Sequence, residues 1–149
     1  MENDAVGAVL EDLIETLEDG CKGFDEAARK LRDDGHADLA QTMSGYSQQR
    51  RQFSDELRTA ARTINYDIKD EGSAAGALHR GWMALKDALT GDDAHAILAA
   101  AESGEDHAVS EYEDALAADL PSEVRAVITR QAAAVRSAHD AVKAIRDQN

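Results

Sequence analysis

The sequence has few of the residues on which β-rich and disulfide-bonded proteins depend. Of its 149 residues only 4% are aromatic, one is proline and one, Cys21, is cysteine. Strands favour aromatic and β-branched side chains, and a single cysteine cannot form an internal disulfide. Alanine and aliphatic side chains must therefore supply the core of a single domain spanning residues 1–149, a length that can bury a sizeable core.

Positive charge is also scarce, since 16 Lys and Arg stand against 30 Asp and Glu and give a formal net charge of −14. Nucleic acids and anionic membrane surfaces are bound by clustered Lys and Arg, so this balance disfavours both as partners. The N-terminus lacks the basic and apolar segments of a signal peptide, and no stretch approaches the ~20 apolar residues of a membrane span. These features favour a cytoplasmic protein.

The motifs of common enzyme classes are missing as well. The sequence contains no Gly-rich phosphate loop, no nucleophile elbow and no Cys–His arrangement that geometry would favour. This favours a protein that is not an enzyme.

Four long segments carry apolar residues at steps of three and four, which is the period of an amphipathic helix. They predict helices at about residues 4–34, 36–65, 92–119 and 121–146. Asp4 and either Asp92 or Asp93 are expected as N-caps, Gly35 in the left-handed position after the first helix, and Pro121 in the first turn of the last. The short turns predict two antiparallel hairpins.

Small residues interrupt the first predicted helix. Gly20 and Gly23 weaken a helix interior, so their presence indicates close packing against a neighbouring helix. Cys21 falls on the apolar stripe, where a small buried thiol is expected.

A long crossover is predicted between the two hairpins. A helix is expected at about residues 73–90, capped by Ser73 and ended by Gly91. About 17 residues at ~1.5 Å each give roughly 25 Å, which with the preceding loop covers most of a bundle's length. An apolar stripe is expected to pack this helix on the bundle rather than on a membrane; its members are Leu78, Trp82, Leu85 and Leu89.

Polar side chains occupy core positions near the middle of the predicted helices. Arg50 and Glu105 each interrupt an apolar stripe. A buried arginine is nearly always paired, so either a carboxylate faces Arg50 or its head group reaches solvent; we favour pairing. Because the midpoints of bundled helices fall at one depth, a shared buried polar layer is predicted, consisting of Glu18, Arg50, Glu105, Gln131 and His139.

Two hairpins, a long crossover and a polar layer look like the ferritin-like superfamily. More narrowly, the chain resembles a bacterial family of uncharacterised ferritin-like four-helix-bundle proteins, known as a domain of unknown function. The segments that carry the resemblance are Gly76–Trp82, Leu85–Lys86, Leu89–Gly91, Gly104–Asp106, Asp119–Pro121 and Ala138–Asp140. The resemblance covers nearly the whole chain and implies an all-α ferritin-like bundle, with no established activity to carry over.

The polar layer departs from a ferritin-like di-metal site. Such a site takes a Glu from each of two helices and a Glu-x-x-His from each of the other two. Glu18 and Glu105 stand where the single Glu residues belong, but the other windows read Ser-Gln-Gln-Arg, ending at Arg50, and Arg-Ser-Ala-His, ending at His139. A cation in the layer repels metal, so Arg50 is expected to replace the metal and to pair with Glu105, with Glu18 as a second candidate partner, and no cofactor is expected. The alternative is an incomplete iron or manganese site of Glu18, Glu105 and His139.

Three functions remain open. The first is a non-catalytic bundle that acts through protein contacts or assembly, for which fold-level analogy alone suggests a role in a stress response. The second is a metal-binding or oxidase protein with an atypical, incomplete di-metal site. The third is a helix-binding module that uses the groove beside the crossover. The spacing Glu102-x-x-Glu105 is most often that of a solvated pair, so Glu102 is expected in solvent, whereas Glu105 is assigned to the buried layer.

Overall fold

A computed structural model describes residues 2–68 and 93–149, and these residues form four α-helices. The helices are α1 (Glu2–Asp33), α2 (Ala37–Thr63), α3 (Ala94–Ala117) and α4 (Ser122–Gln148). Every end lies within two residues of its predicted position. Within the described ranges there is no strand, so the fold is all-α and consistent with a four-helix bundle. The predicted crossover helix, with Leu78, Trp82, Leu85 and Leu89, lies outside the described residues.

Neighbouring helices in the bundle are antiparallel. Helix α1 packs against α2 and α3, and α4 packs against α3 and α2, so α2 and α3 face each other across a diagonal. The N-terminal halves of α2 and α3 share one apolar cluster with the C-terminal half of α1. Their C-terminal halves share the other cluster with the N-terminal half of α1. Helices α2 and α3 are therefore parallel, as the two-hairpin topology requires, and Ile68 and Asp93 lie at opposite ends of the bundle.

The buried face of α2 is turned slightly from the stripe that the sequence pattern predicts, which consists of Leu39, Met43, Tyr46, Arg50, Phe53, Leu57, Ala60 and Ile64. Small residues fill the positions nearest the neighbouring helices, namely Ala40, Ser47, Ser54 and Ala61. Larger residues of the predicted stripe are only partly buried, namely Leu39, Tyr46 and Ile64. Close packing explains the shift, because small side chains let the backbones approach while larger ones fill the flanks.

Cys21 also differs from its predicted environment. It is half-buried rather than enclosed, with its Sγ 3.2 Å from the Ser47 hydroxyl. Nη2 of Arg51 donates to the same sulfur at 3.1 Å. The thiol therefore lies in the α1–α2 groove, where polar groups reach it.

Helix α1 ends in a left-handed turn at Gly35, which has φ 84°. The N–H of His36 donates to the carbonyl of Leu31 at 2.8 Å, and the N–H of Gly35 donates to the carbonyl of Arg32 at 3.1 Å. These two bonds satisfy carbonyls that would otherwise be left at the helix end. The predicted left-handed Gly35 is thereby confirmed.

Helix α2 ends in the same way, although asparagine replaces glycine. Asn65 has φ 58°, and the N–H of Tyr66 donates to the carbonyl of Ala61 at 2.9 Å. This turn carries Tyr66 back onto α1, where its ring lies directly over Gly7 and its hydroxyl donates to Glu11 Oε1 at 3.0 Å. The sequence-based bounds extended the helix to Asn65 and so missed this turn.

The helix starts agree with the predictions in one case and differ in two. Asp93 caps α3, since its carboxylate accepts from the backbone N–H of His95 at 3.0 Å. Asp4 is not a cap, because α1 already begins at Glu2 and Asp4 lies within its first turn. Pro121 is the N-cap residue of α4 rather than a member of its first turn.

Candidate functional site

The middle of the bundle contains a buried ion pair between diagonal helices. Nη1 of Arg50 on α2 lies 2.5 Å from Oε1 of Glu105 on α3, and Nη2 lies 3.0 Å from Oε2. The exposed fractions of the two side chains are 1% and 0%. Two parallel bonds between a guanidinium and a carboxylate are the strongest geometry that this pair of groups adopts. The pair therefore holds both oxygens of Glu105.

Helix α1 provides the space that Arg50 occupies. The Arg50 guanidinium carbon lies 5.2 Å from the ring centroid of Phe24, which places the cation over an aromatic face. One turn earlier, Gly20 leaves the stem of Arg50 room to pass, since a Cβ at that position would stand 3.7 Å from Arg50 Cγ. Nε of Arg50 donates to Gln49 Oε1 at 3.2 Å. The close packing expected at Gly20 is thus made by an arginine stem from α2.

Burial and charge act on Glu105 in opposite directions. Burial raises the pKa of the Glu105 carboxyl, and Arg50 opposes that shift by attraction and by hydrogen bonding. Burial likewise raises the pKa of the nearby Tyr46 hydroxyl, and the charge of Glu105 adds to that effect. An unpaired carboxylate at this depth would be strongly disfavoured, so the stability of the layer depends on Arg50.

A second polar cluster lies closer to the C-terminal ends of α2 and α3. The Tyr112 hydroxyl donates to Gln131 Oε1 at 2.7 Å, and Gln131 Nε2 donates to the Phe53 carbonyl at 3.2 Å and to Glu56 Oε1 at 2.8 Å. Burial raises the pKa of Tyr112. For Glu56 burial also raises the pKa, but hydrogen bonds from Gln131 and Arg130 outweigh it and leave the pKa lowered. Gln131 thus links α2, α3 and α4 through satisfied polar groups.

Glu18 does not belong to the buried layer, contrary to the prediction. Its side chain is 49% exposed and accepts a hydrogen bond from Arg58 Nη2 at 2.6 Å. Leu17 occupies the adjacent core position and is almost fully buried. Because successive helix positions point about 100° apart, burying Leu17 turns Glu18 towards solvent.

His139 lies at the edge of the layer, with 16% of its side chain exposed. Its Nε2 is 2.5 Å from Asp106 Oδ1 and 3.9 Å from Glu102 Oε2, and its Nδ1 is 3.1 Å from Asp140 Oδ1. Glu102 also forms an ion pair with Arg146 and is only 12% exposed. The expectation of a solvated Glu102 was wrong, because α4 covers it.

These positions bear directly on the metal alternative. Glu18 is bound to Arg58, Glu105 to Arg50 and His139 to Asp106, so the three proposed ligands face different partners. Among residues 2–68 and 93–149, no group of three or more His, Cys, Asp or Glu side chains has an arrangement that could hold a metal ion. In the same ranges, no helix is long and apolar enough to cross a membrane.

Several residues of the site were not found by sequence reasoning. The helical spacing puts Tyr112 on the apolar stripe of α3, seven positions after Glu105, but does not indicate its hydrogen bond, and nothing in the sequence singles out Glu56. Arg125, on α4, binds the carbonyls of Leu116 and Ala118 at the end of α3. A basic residue just past a helix terminus is a usable signal for such a contact, because cations are favoured at helix C-termini.

Comparison with known proteins identifies the family of the chain but no characterised relative. No curated protein matches the sequence. The family described as Domain of unknown function (DUF2383) matches residues 5–118. The match contains both members of the buried ion pair and ends before α4, so it is shorter than the nearly full-length resemblance that was expected. Because it covers well over half of the sequence, the chain belongs to the DUF2383 family.

Proposed function

We propose that this protein is a non-catalytic ferritin-like four-helix bundle that acts through protein contacts or assembly. Antiparallel neighbours and parallel diagonal helices are the arrangement that two hairpins joined by a long crossover produce, as in ferritin-like folds. The absence of enzyme motifs from the sequence supports a non-catalytic role. Fold-level analogy extends the proposal to a stress response in a bacterial cytoplasm.

The observation that carries the proposal is the bidentate contact between Arg50 and Glu105. Ferritin-like di-metal proteins place carboxylate ligands at mid-bundle depth, where they balance the charge of the metal ions. Here the guanidinium supplies the positive charge and holds both oxygens of Glu105. We infer that the ion pair replaces the metal centre and that the bundle core is structural.

The acidic surface is consistent with protein partners. With a net charge of −14, the chain repels nucleic acids and anionic membranes, whereas a neutral or basic protein surface meets no such barrier. The helix-binding alternative depends on the crossover groove, which lies outside the described residues.

Metal analysis of protein purified without chelator tests the structural role of the pair. The proposal predicts no stoichiometric iron or manganese and no rise in melting temperature when Fe²⁺ or Mn²⁺ is added under anaerobic conditions. The metal-site alternative predicts about one bound ion per chain and a rise in melting temperature, because a ligand that binds only the native state stabilises it.

Two variants test whether any bound metal lies at the Arg50–Glu105 pair. If a metal were bound at the ion pair, Glu105→Gln would abolish it, whereas Glu113→Gln, at an exposed carboxylate on the same helix, would not. Self-association is tested in parallel by sedimentation over a wide concentration range. A stoichiometric metal that is lost only in Glu105→Gln would overturn the proposal.

A further inference from the structure

Helix α4 is held in the bundle differently along its two halves. It packs mainly on α3 and makes a smaller contact with α2. That contact includes the polar links from Arg130 and Gln131 to Glu56. Beyond Gln131, the ion pairs that join α4 to another described helix all go to α3. Within residues 2–68 and 93–149, the C-terminal half of α4 therefore makes its interhelical ion pairs with α3.

The two helices are complementary in charge along this interface. The sequence of α3 contains no Lys or Arg. Its carboxylates meet bases of α4 in three successive contacts: Glu113 with Arg136 at 2.9 Å, Asp106 with His139 at 2.5 Å, and Glu102 with Arg146. The first pair is exposed and contributes little. Of the other two, Glu102–Arg146 is mostly buried, whereas His139, 16% exposed, meets an Asp106 that is 66% exposed. We call these four residues, Glu102, Asp106, His139 and Arg146, the α4 clasp.

His139 is the member of the α4 clasp whose charge changes near neutral pH. From α3 it is faced by Asp106 and Glu102, with Glu105 one layer deeper, and on its own helix by Asp140. On α2, Arg50 is bound to Glu105, so its charge is matched. On α4 itself, Arg136 and Lys143 stand three positions before and four positions after His139, and Arg136 is paired with Glu113. Negative charge thus dominates the surroundings of the imidazole.

We propose that the α4 clasp is a pH-dependent latch: charged His139 holds the C-terminal half of α4 on α3, and neutral His139 releases it. Burial alone lowers the pKa of His139, but hydrogen bonds to Asp140 and Asp106 outweigh burial and leave the pKa raised. A raised folded-state pKa gives stabilisation that is fully present below the unfolded value of about 6.5. That stabilisation is lost as the pH rises through the folded value, so the segment opens on the alkaline side.

Release of this segment would uncover apolar surface. Val142 is fully buried in the cluster that includes Leu98, and Ile145 packs against the same cluster. Among the described residues, these apolar contacts and the Glu102–Arg146 pair remain to hold the segment when His139 is neutral. The latch is independent of the proposed function, because it concerns how α4 is attached and not what occupies the mid-bundle layer.

Hydrogen exchange of the full chain tests the latch. Exchange is measured at several values between about pH 6 and about pH 9, a range that brackets histidine titration, and is corrected for the intrinsic pH dependence of amide exchange. Peptides from residues 139–148 are expected to exchange about two- to fivefold faster on the alkaline side, because an ion pair with one solvent-exposed partner contributes only modestly. Peptides from α1 and α2 are expected to keep their protection.

Substitutions then test whether His139 causes this pH-dependent increase in hydrogen exchange, which we call the exchange step. His139→Gln keeps a polar side chain without a charge, so fast exchange of residues 139–148 is expected at every pH. The matched control His107→Gln removes another α3–α4 hairpin histidine and is expected to leave the step unchanged. A step that persists in His139→Gln, or that appears equally in all helices, contradicts the latch.

A second experiment keeps His139 in place, so it can be carried out even if His139→Gln fails to fold. The ring resonances of His139 are followed by NMR in the unmodified protein and in Asp106→Asn. The substitution should move both the ring titration and the exchange step to lower pH together. If the exchange step stays in place while the ring titration moves, His139 does not control the opening.

Discussion

Arg50 and Glu105 are bound to each other across the diagonal of the bundle, with Nη2 of Arg50 3.0 Å from Oε2 of Glu105. The pair joins the two helices that otherwise have little contact. Arg50 and Glu105 would both be buried without a partner if a different helix lay opposite α2. The same would happen if α3 were shifted by one turn. We therefore expect the pair to select the helix arrangement and register, in addition to its effect on stability.

The stability of the pair is measured by a double-mutant cycle. Arg50→Met or Glu105→Leu alone is expected to lower the free energy of unfolding by about 3–5 kcal/mol, because each leaves a buried charge without its partner. The double variant should recover most of that loss, and the coupling energy follows from denaturant unfolding of the four proteins.

The exposed pair Arg136–Glu113 is the control for this cycle. Both side chains are more than half exposed, so Arg136→Met and Glu113→Leu should be additive to within about 0.5 kcal/mol. If the effects of Arg50→Met and Glu105→Leu also proved additive to within about 0.5 kcal/mol, the buried pair would not be coupled.

Two glycines that differ in backbone conformation give a second prediction. Neither Gly35 nor Gly45 has an atom within 4 Å of a notional Cβ, but Gly35 has φ 84° and Gly45 lies inside α2. Gly35→Ala should lower the free energy of unfolding by about 1–2 kcal/mol, because alanine is strained in the left-handed region. Gly45→Ala should raise it by about 0.5–1 kcal/mol, since alanine is the better helix former. Thermal unfolding of both variants checks the signs, and equal signs would refute the assigned turn.

A third prediction compares two glycines of α1. A Cβ at Gly20 meets Arg50 at 3.7 Å, which is ordinary contact, so Gly20→Ala should stabilise by about 0.5–1 kcal/mol. A Cβ at Gly7 would lie 2.1 Å from the ring of Tyr66, so Gly7→Ala must displace that ring and break its hydrogen bond to Glu11.

Hydrogen exchange of the turn at residues 64–68 reads out this displacement. Faster exchange there in Gly7→Ala, and unchanged exchange in Gly20→Ala, is the expected result. Retention of full protection in Gly7→Ala would mean that Tyr66 does not close over α1 as described.

The Tyr112–Gln131 contact gives a fourth prediction. Gln131→Leu leaves the buried Tyr112 hydroxyl without its acceptor and should cost about 1–3 kcal/mol in the free energy of unfolding. Adding Tyr112→Phe removes the orphaned hydroxyl and should restore part of that loss. Denaturant unfolding of the two single variants and the double variant measures the coupling, and a double variant no more stable than Gln131→Leu would show that the bond contributes nothing.

The sequence by itself determined the helices and much of their termini. Apolar residues at steps of three and four located the four described helices to within two residues at each end, because the helical period is a local property. The left-handed Gly35 and the Asp93 cap were also predictable, since turn and cap geometry depends on a few adjacent residues. Asn65 was missed because asparagine adopts both helical and left-handed conformations, and its neighbours decide between them.

The tertiary structure alone decided which polar groups meet. Arg50 and Glu105 are 55 positions apart in the sequence, and their placement in apolar stripes predicted that they pair, with Glu18 as a second candidate partner; only the packed structure shows that Glu105 alone of the two binds Arg50. Glu18 had the same apparent depth along its helix, yet a rotation of about 100° from Leu17 exposes it. Glu102, expected in solvent, and His139, expected in the polar layer, both form contacts between α3 and α4, because these two helices pack against each other there. Depth along a helix can be counted from sequence, whereas the direction in which a side chain points across the bundle is fixed only when the helices pack.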